Sequence, residues 1–366
     1  MPELIEMIFL AAVTGYFIQS VIFLTGVKKR FRKADTSELK SISVIVAARD
    51  EENNILRCLR SLDQLIYPEN KLEIIIVDDK STDNTGKIID DFIKDKNRFK
   101  KIITRKEIGW LKGKTNALAN AIEIANGEII LTTDADCEVN PNWALTIASY
   151  YTGNVAVVNG FTTQEVIGGF SGMQAIDFIY LLTVASGTIN LDHPISCIGN
   201  NMSYLRKVYF EVGGYESLPF SVTEDFNMLN AIHKLGKYKI IMPLDKESLV
   251  VSKPCSSVRE LFHQKKRWAV GGLRVPFRGY VVMFWGFTTN LLVLLLPFFF
   301  STVWLYLTSF KIIIDLLVLY PVHKELGIKS KLKYFIHFQL YYLIYVVAIP
   351  FVLLISRKVF WKGRKY

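Results

Sequence analysis

The sequence predicts an α/β domain over residues 40–270, with a transmembrane anchor over residues 1–28 before it. Residues 271–366 follow as an interfacial segment, two or three transmembrane helices and a basic tail. Three observations predict this arrangement. Just over half of the 366 residues are apolar (51%), more than a typical soluble chain carries, while 21% are charged, too many for a chain that is membrane throughout. The apolar residues gather in long runs at the two ends. Between them, short β-rich runs alternate with amphipathic helical patterns, the signature of α/β layering.

Residues 7–27 hold no formal charge and number about twenty, enough to cross a hydrocarbon core of roughly 30 Å. A cleaved signal peptide is the competing reading. The run is longer than an ordinary signal core, lacks a basic start and has no small-x-small cleavage site before its flank. Lys28, Lys29, Arg30, Arg32 and Lys33 follow at once. Positive flanks stay cytoplasmic, so the anchor runs out-to-in, and the next domain faces the cytoplasm of a bacterial-type inner or plasma membrane.

Residues 42–48 read as the first strand, 51–65 as a helix and 72–77 as the second strand. Asp83 or Asn84 can cap a helix through about residue 94, and 102–104 read as a third strand. Ala117, Leu118, Ala121, Ile122 and Ala125 recur at the helical interval across residues 115–125. Residues 128–133 then form a strand that runs straight into Asp134-Ala135-Asp136. Sheets of this kind carry ligand-binding loops at the carboxyl ends of their strands, and three polar or acidic clusters fall there: 49–51, 78–79 and 134–136.

Farther on, the apolar stretch 281–320 is broken by Pro297, Lys311 and Asp315. About forty residues exceed one span and suit a hairpin of two helices. A single span followed by an interfacial helix is the alternative, with Lys311 and Asp315 paired at i,i+4. Residues 334–356 form a further span. The net charge of +10 is concentrated near the N-terminal anchor, in 324–333 and in the tail of Arg357, Lys358, Lys362, Arg364 and Lys365. That distribution favours anionic lipid head groups over nucleic acid. The last two clusters cannot lie on the same side of one intervening helix, which leaves the parity of the C-terminal spans open.

Four scattered cysteines form no C-x-x-C pair, and the five histidines show no H-E-x-x-H spacing, so neither a zinc site nor a disulfide framework is indicated. Gly113-Lys114-Thr115 suggests a phosphate loop, but position 108, where that motif needs glycine, is Ile108. Asp134-x-Asp136 at a strand end lets two carboxylates approach one divalent cation whose remaining positions phosphate oxygens fill; a capping turn is the plain alternative. Asp78 and Asp79 would repel each other unless one is hydrogen-bonded, for example to a nucleobase or ribose. Thr223-Glu224-Asp225 begins an amphipathic helix through about residue 235, either as an N-cap or as a carboxylate aimed at an acceptor hydroxyl. Gln264-Lys265-Lys266-Arg267-Trp268 lies at the end of a helix from Ser257. It is either an interfacial basic-aromatic belt or an arginine for a leaving diphosphate beside a tryptophan face for a sugar.

Five segments in this order resemble glycosyltransferase family 2, the inverting enzymes of GT-A fold. They are Ser43 to Glu51, Val77-Asp78-Asp79, Asp134-Ala135-Asp136, Thr223-Glu224-Asp225 and Gln264-x-x-Arg267-Trp268. The membrane subset is most similar: ceramide glucosyltransferase and the cellulose, hyaluronan and poly-N-acetylglucosamine synthases. The resemblance implies that Ala47, Arg49, Glu51, Asp78 and Asp79 surround the donor nucleoside, with Lys114 and Asp134 nearer its diphosphate. It implies a Mg²⁺ or Mn²⁺ ion on Asp136 and Asp134, Asp225 as general base with Glu224 beside it, and Gln264, Arg267 and Trp268 closing over donor and acceptor. Residues 198–202, with Gly199 and Asn200, are similar to the family's acceptor-side loop. The partners implied are a nucleotide-sugar donor, UDP-linked by family habit, and a lipid or lipid-linked acceptor. The sequence departs from the family at Ala47-Ala48-Arg49-Asp50-Glu51, where many members have Pro-x-Tyr-Asn-Glu, and it has fewer C-terminal spans than polymer-extruding synthases. A processive polysaccharide synthase is the alternative enzyme. A catalytically silent scaffold that senses nucleotide sugars is the alternative of another class, and it would show a broken acidic set.

Overall fold

The structure, a computed structural model, describes residues 2–104, 107–361 and 364–365. In chain order its first elements are α1 (Pro2–Val27), β1 (Ile42–Ala48), α2 (Ile55–Asp63), β2 (Leu72–Asp78), α3 (Thr85–Ile93), β3 (Phe99–Ile103), α4 (Lys114–Ile124) and β4 (Ile129–Asp134). Then come β5 (Glu138–Val139), α5 (Trp143–Ser149), β6 (Val155–Asn159), β7 (Thr162–Gln164), α6 (Gly169–Asn190), β8 (Met202–Leu205), α7 (Arg206–Glu211) and α8 (Glu224–Lys234). The last are β9 (Lys239–Ile241), β10 (Val250–Ser252), α9 (Val258–Gly272), α10 (Phe277–Leu294), α11 (Thr302–Glu325) and α12 (Phe335–Ile355). Lys362 of the basic tail lies outside the described residues.

The chain forms two compact units, one of Lys29–Thr163 with Cys197–Lys253, the other of Met1–Lys28, Gln164–Ser196 and Pro254–Tyr366. Contacts therefore do not follow the continuous 40–270 block expected from the sequence: residues 164–196 and 254–270 group with the terminal helices.

In the α/β unit a seven-stranded sheet has the order β3-β2-β1-β4-β8-β6-β9, and a small sheet has the order β5-β10-β7. Strands β3, β2, β1 and β4 are mutually parallel, while β8 runs antiparallel to both β4 and β6. A strand sandwiched on both faces reads as a continuous apolar run. In β1, Val44, Ile45 and Val46 are fully buried, each contributing roughly 1.5–3 kcal/mol by leaving water. The α2 helix begins at Ile55, later than the expected 51, because residues 49–54 are held as a loop. Strand β3 begins at Phe99 rather than at 102.

In the other unit, α1, α6, α10, α11 and α12 are each long and apolar enough to cross a membrane. Residues 281–320 form the hairpin of the two expected layouts, as α10 and α11. The sequence reading missed α6, whose apolar positions are interleaved with Gly, Ser, Thr and Asp on every side and whose length is mostly buried. Its small residues permit close helix approach: a Cβ on Gly187 would stand 2.7 Å from the Phe23 backbone of α1, and one on Gly26 would stand 2.1 Å from the Gly187 carbonyl. Lys311 and Asp315 do pair at i,i+4, at 2.8 Å, but fully buried. Gln339 bridges them, donating to Asp315 at 2.8 Å and accepting from Lys311 at 3.1 Å, and the Tyr16 hydroxyl donates to Asp315 at 2.6 Å. Buried charges in such a bundle persist only when paired in this way.

Candidate active site

Register brings the first acidic clusters together. Ala48 lies opposite Asp78, and Ala47 lies opposite Asp134, so β1, β2 and β4 end level and their following loops share one edge of the sheet. Two non-glycine residues there adopt left-handed backbone, Asp50 (φ 52°) and Lys80 (φ 58°), a conformation that surrounding bonds must hold. Those bonds run between the loops. Thr82 N–H donates to Asp50 Oδ1 at 2.8 Å, Glu51 N–H donates to Thr85 Oγ1 at 2.7 Å, and Glu52 N–H donates to Asp83 Oδ2 at 3.1 Å. Asp83 also accepts from Thr85 N–H at 2.9 Å, while the N-cap position of α3 falls to Asn84, the other residue the sequence offered, whose side chain makes no capping bond.

The two neighbouring aspartates after β2 are separated by their partners. Asp78 accepts from Ser81 N–H at 2.9 Å and has Lys101 at 3.9 Å, so its carboxylate closes the turn. Asp79 lies 3.8 Å from Arg49, whose guanidinium also donates to the Asp79 carbonyl at 3.4 Å.

Lys114, at the first turn of α4, joins motifs about 90 residues apart in sequence. Its ammonium lies 2.5 Å from Asp134 Oδ1 and 3.8 Å from Glu224 Oε1. Burial works against that charge, yet Asp134, Glu224 and Asp225 together hold the ammonium well above the ordinary lysine range. Asp136, two residues beyond Asp134, is pushed up to about 6, first by burial and then by the negative charges of Asp134 and Glu51. Among the described residues no three His, Cys, Asp or Glu side chains form a group able to hold a metal by themselves.

Asp225 accepts from its neighbour's amide, Phe226 N–H, at 2.8 Å, and a Cβ added to Gly199 would stand 3.2 Å from Asp225 Oδ2. Glycine at 199 therefore leaves the carboxylate its space. Asn200 is buried and accepts from the Thr162 hydroxyl at 2.9 Å, which makes it a post between segments. Thr223 occupies the N-cap position of α8, but its side chain makes no capping bond. The cap therefore does not account for the Thr-Glu-Asp run. Gln264, Arg267 and Trp268 lie on α9 in the other unit, where the Lys265 ammonium sits 4.3 Å from the centre of the Trp268 ring.

Sequence reasoning missed four residues beside this cluster or on the loops that lead into it. Arg57 on α2 donates to the Asp136 carbonyl at 2.6 Å and lies 3.6 Å from Glu138, fixing the D-x-D loop. The Cys197 thiol is pushed up by burial and then by Asp225 and Glu224. Trp110 and Phe220, 41% and 46% exposed, meet edge-on at 6.1 Å on the loops that lead into Lys114 and Thr223. None of these positions carries a spacing signal, because each acts through a neighbour distant in sequence.

Two family models match the chain: Glycosyl transferase family 2 over residues 43–214, and Glycosyl transferase family group 2 over residues 129–355. A Bacillus subtilis protein named "Probable glycosyltransferase YdaM" is 26% identical over 84% of this chain and 74% of its own. Beta-monoglucosyldiacylglycerol synthase from Nostoc is 27% identical over 72% of this chain, which spans 55% of the length of that relative. Poly-beta-1,6-N-acetyl-D-glucosamine synthase from Staphylococcus epidermidis is 26% identical over 68% of this chain and 58% of its own. Among solved structures, a mannosyltransferase from Pyrobaculum calidifontis, in complex with GDP-Man and Mn²⁺, superposes with a TM-score of 0.61 at 19% identity. That alignment covers 93% of this chain and 99% of the other, a likeness of GT-A fold.

Proposed function

The chain belongs to glycosyl transferase family 2, and from that premise we propose a membrane-bound inverting transfer of a sugar from a nucleotide-diphosphate donor, UDP-linked by family habit, to a lipid or lipid-linked acceptor at the cytoplasmic face. The observation that carries this reading is Lys114, which gathers Asp134 and Glu224 around one half-buried cation at the level strand ends. The lipid acceptor is supported by the Nostoc relative, a synthase named for a glucosylated diacylglycerol. It is supported too by the apolar helices, which would present a lipid at high effective concentration.

Asp225 would take the proton of the acceptor hydroxyl, its carboxylate oriented by the Phe226 N–H that Oδ1 accepts and given space by the missing side chain of Gly199. The acceptor oxygen then attacks the anomeric carbon from the face opposite the diphosphate. Lys114 turns from Asp134 toward the departing phosphates. Arg49, Glu51 and Asp79 hold the nucleoside, and Asp78 stabilises their loop. For Gln264, Arg267 and Trp268 the donor- and acceptor-binding role rests on the motif alone.

A divalent cation fits the carboxylates present. Magnesium and manganese take one or two carboxylates and complete their shells with phosphate oxygens and water. Asp136, with its charge disfavoured by burial and by Asp134 and Glu51, is the group such a cation would relieve. Asp134 and Asp136 would hold it, and when bound it neutralises charge on the leaving diphosphate.

The test is turnover. Purified full-length protein in nanodiscs is incubated with UDP-glucose, UDP-N-acetylglucosamine or GDP-mannose, with and without diacylglycerol, in Mg²⁺ or Mn²⁺. Lipid-dependent release of nucleoside diphosphate is expected, and it is lost in Asp225→Asn while donor-induced thermal stabilisation is kept. Turnover by Asp225→Asn removes that residue from its role, and turnover with soluble sugar acceptors alone removes the lipid. The Staphylococcus relative supports a second reading, processive synthesis, which a ladder of product masses would establish.

A further inference from the structure

We propose that Asp177 and Lys265, a buried ion pair to which no role has been given above, are positioning residues that fix Trp268 and the helical turn carrying Arg267. The inference rests on the donor- and acceptor-binding role given to Arg267 and Trp268. Asp177 lies on α6 and Lys265 on α9, and the ammonium donates to Asp177 Oδ2. Their residues are 0% and 3% exposed. Three positions apart on a helix, Lys265 and Trp268 project to the same side. The same ammonium stands 4.3 Å from the centre of the Trp268 ring and 5.3 Å from that of Tyr345 on α12. Phe178, next to Asp177, meets the indole at 5.4 Å and 53°. One two-residue step of α6 thus holds both the cation on the indole and the ring packed against it.

A second clamp lies one turn earlier on α6. The Gln174 side chain accepts from Cys255 N–H at 2.9 Å and donates to the Cys255 carbonyl at 3.1 Å, pinning the segment that enters α9. Helix α6 therefore sets α9 at its entry and at its middle, and α9 cannot rotate Trp268 away without also displacing Arg267.

Stability gives no reason for the pair. Buried ion pairs are commonly no better than apolar packing of the same shape, and this one is incompletely satisfied. Among the described residues, Asp177 Oδ1 and the Tyr341 hydroxyl of α12 are both buried without a hydrogen-bond partner. An apolar pair would fill the space without the orphaned Asp177 oxygen. What it would lack is direction, since an ammonium shared between a carboxylate and an indole face restricts the ring far more than a methyl contact does.

The experiment replaces the pair by near-isosteres in the full-length protein, Asp177→Asn with Lys265→Met. Three readouts are thermal midpoint, kcat with UDP-glucose and diacylglycerol (or the panel pair that wild type turns over), and the ¹⁹F spectrum of 5-fluorotryptophan protein. The chain has six tryptophans, and Trp268→Phe assigns the resonance of interest. Expected are a preserved midpoint, a shifted or broadened Trp268 resonance and a kcat lower by about 10- to 100-fold. A preserved midpoint with an unmoved resonance, or with kcat within about twofold of wild type, overturns the proposal. If the double variant does not fold, Asp177→Glu, which keeps the charge and lengthens the arm, decides by the same readouts. If that variant also fails to fold, the pair is structural and the proposal falls. Asp225→Asn separates the two levels: turnover in it removes the proposed function, whereas normal kcat in the double variant removes only this inference. Should no panel pair be turned over, the resonance alone decides.

Discussion

Lys114→Met removes the cation that joins the two halves of the candidate site and keeps nearly the same shape. In the structure the ammonium is 2.5 Å from Asp134 and 3.8 Å from Glu224. At an effective dielectric of about 20, the longer of these contacts corresponds to roughly 4 kcal/mol before desolvation is subtracted. Breaking a fully buried pair at one end typically costs about 3–5 kcal/mol, but the Lys114 and Asp134 side chains are 19% and 36% exposed, so solvent screening brings the loss here below that range. Here several carboxylates are left, so part of that cost falls on the fold and part on a donor diphosphate that loses its counter-charge. A lost donor to developing charge is worth about 3–4 kcal/mol, or a 100- to 1,000-fold fall in kcat. The variant should move Mn²⁺ affinity the other way: without the ammonium on Asp134 Oδ1, that oxygen is free for a cation, so the apparent Mn²⁺ dissociation constant should fall. Nucleoside-diphosphate release gives kcat and donor KM, and Mn²⁺-dependent thermal stabilisation gives the affinity. The two opposite directions distinguish this account from simple unfolding. A kcat within about threefold of wild type, with donor KM unchanged, would refute the assignment of Lys114 to the diphosphate.

Three further outcomes follow from the same geometry. Gly199→Ala puts a methyl group 3.2 Å from Asp225 Oδ2; kcat should fall by about tenfold through a displacement of a few tenths of an ångström, with donor binding by calorimetry unchanged. Asp136→Asn should abolish Mn²⁺-dependent stabilisation without lowering the thermal midpoint of the metal-free protein, and a retained Mn²⁺ response would move the metal elsewhere. For Asp245, burial is outweighed by Lys33 at 2.7 Å, the Tyr150 hydroxyl at 2.8 Å and the Glu247 amide, which hold its carboxyl below the ordinary range. A depressed carboxyl stabilises the fold above its unfolded value and loses that contribution as pH falls through the folded one. Asp245→Asn should therefore cost about 1.5–3 kcal/mol at neutral pH, and its midpoint gap to wild type should close below about pH 4.

What the sequence disclosed depended on the range of the forces involved. Strands β1, β2 and β4 were legible because a strand buried on both faces needs an unbroken apolar run, and each run ended where acidic residues began. The family resemblance added the acidic set itself. Helix α6 escaped because its neighbours on every side demand small residues, such as Gly187 against Phe23, and that demand thins the hydrophobic signal of a span. Strand β3 was misplaced because an edge strand, with Lys100 exposed and Lys101 half-buried, satisfies only part of the alternation rule.

The site shows the same limit at closer quarters. Asp78 and Asp79 look equivalent in sequence, and the difference between them arises only from Lys101 and Ser81 on one side and Arg49 on the other. Lys114 had a false neighbour, the near-miss phosphate loop. Its actual partners are Asp134 and Glu224, supplied by the last residue of β4 and the start of α8. A cluster of like charges cannot assemble without a counter-charge at its centre, so the carboxylates and the lysine are one requirement distributed over three segments. For the same reason Lys265, inside the Gln-x-x-Arg-Trp motif yet not of it, was invisible until its partner Asp177 was known. A position that a motif leaves free is constrained only by the helix it faces, and that helix was the one element whose composition concealed it.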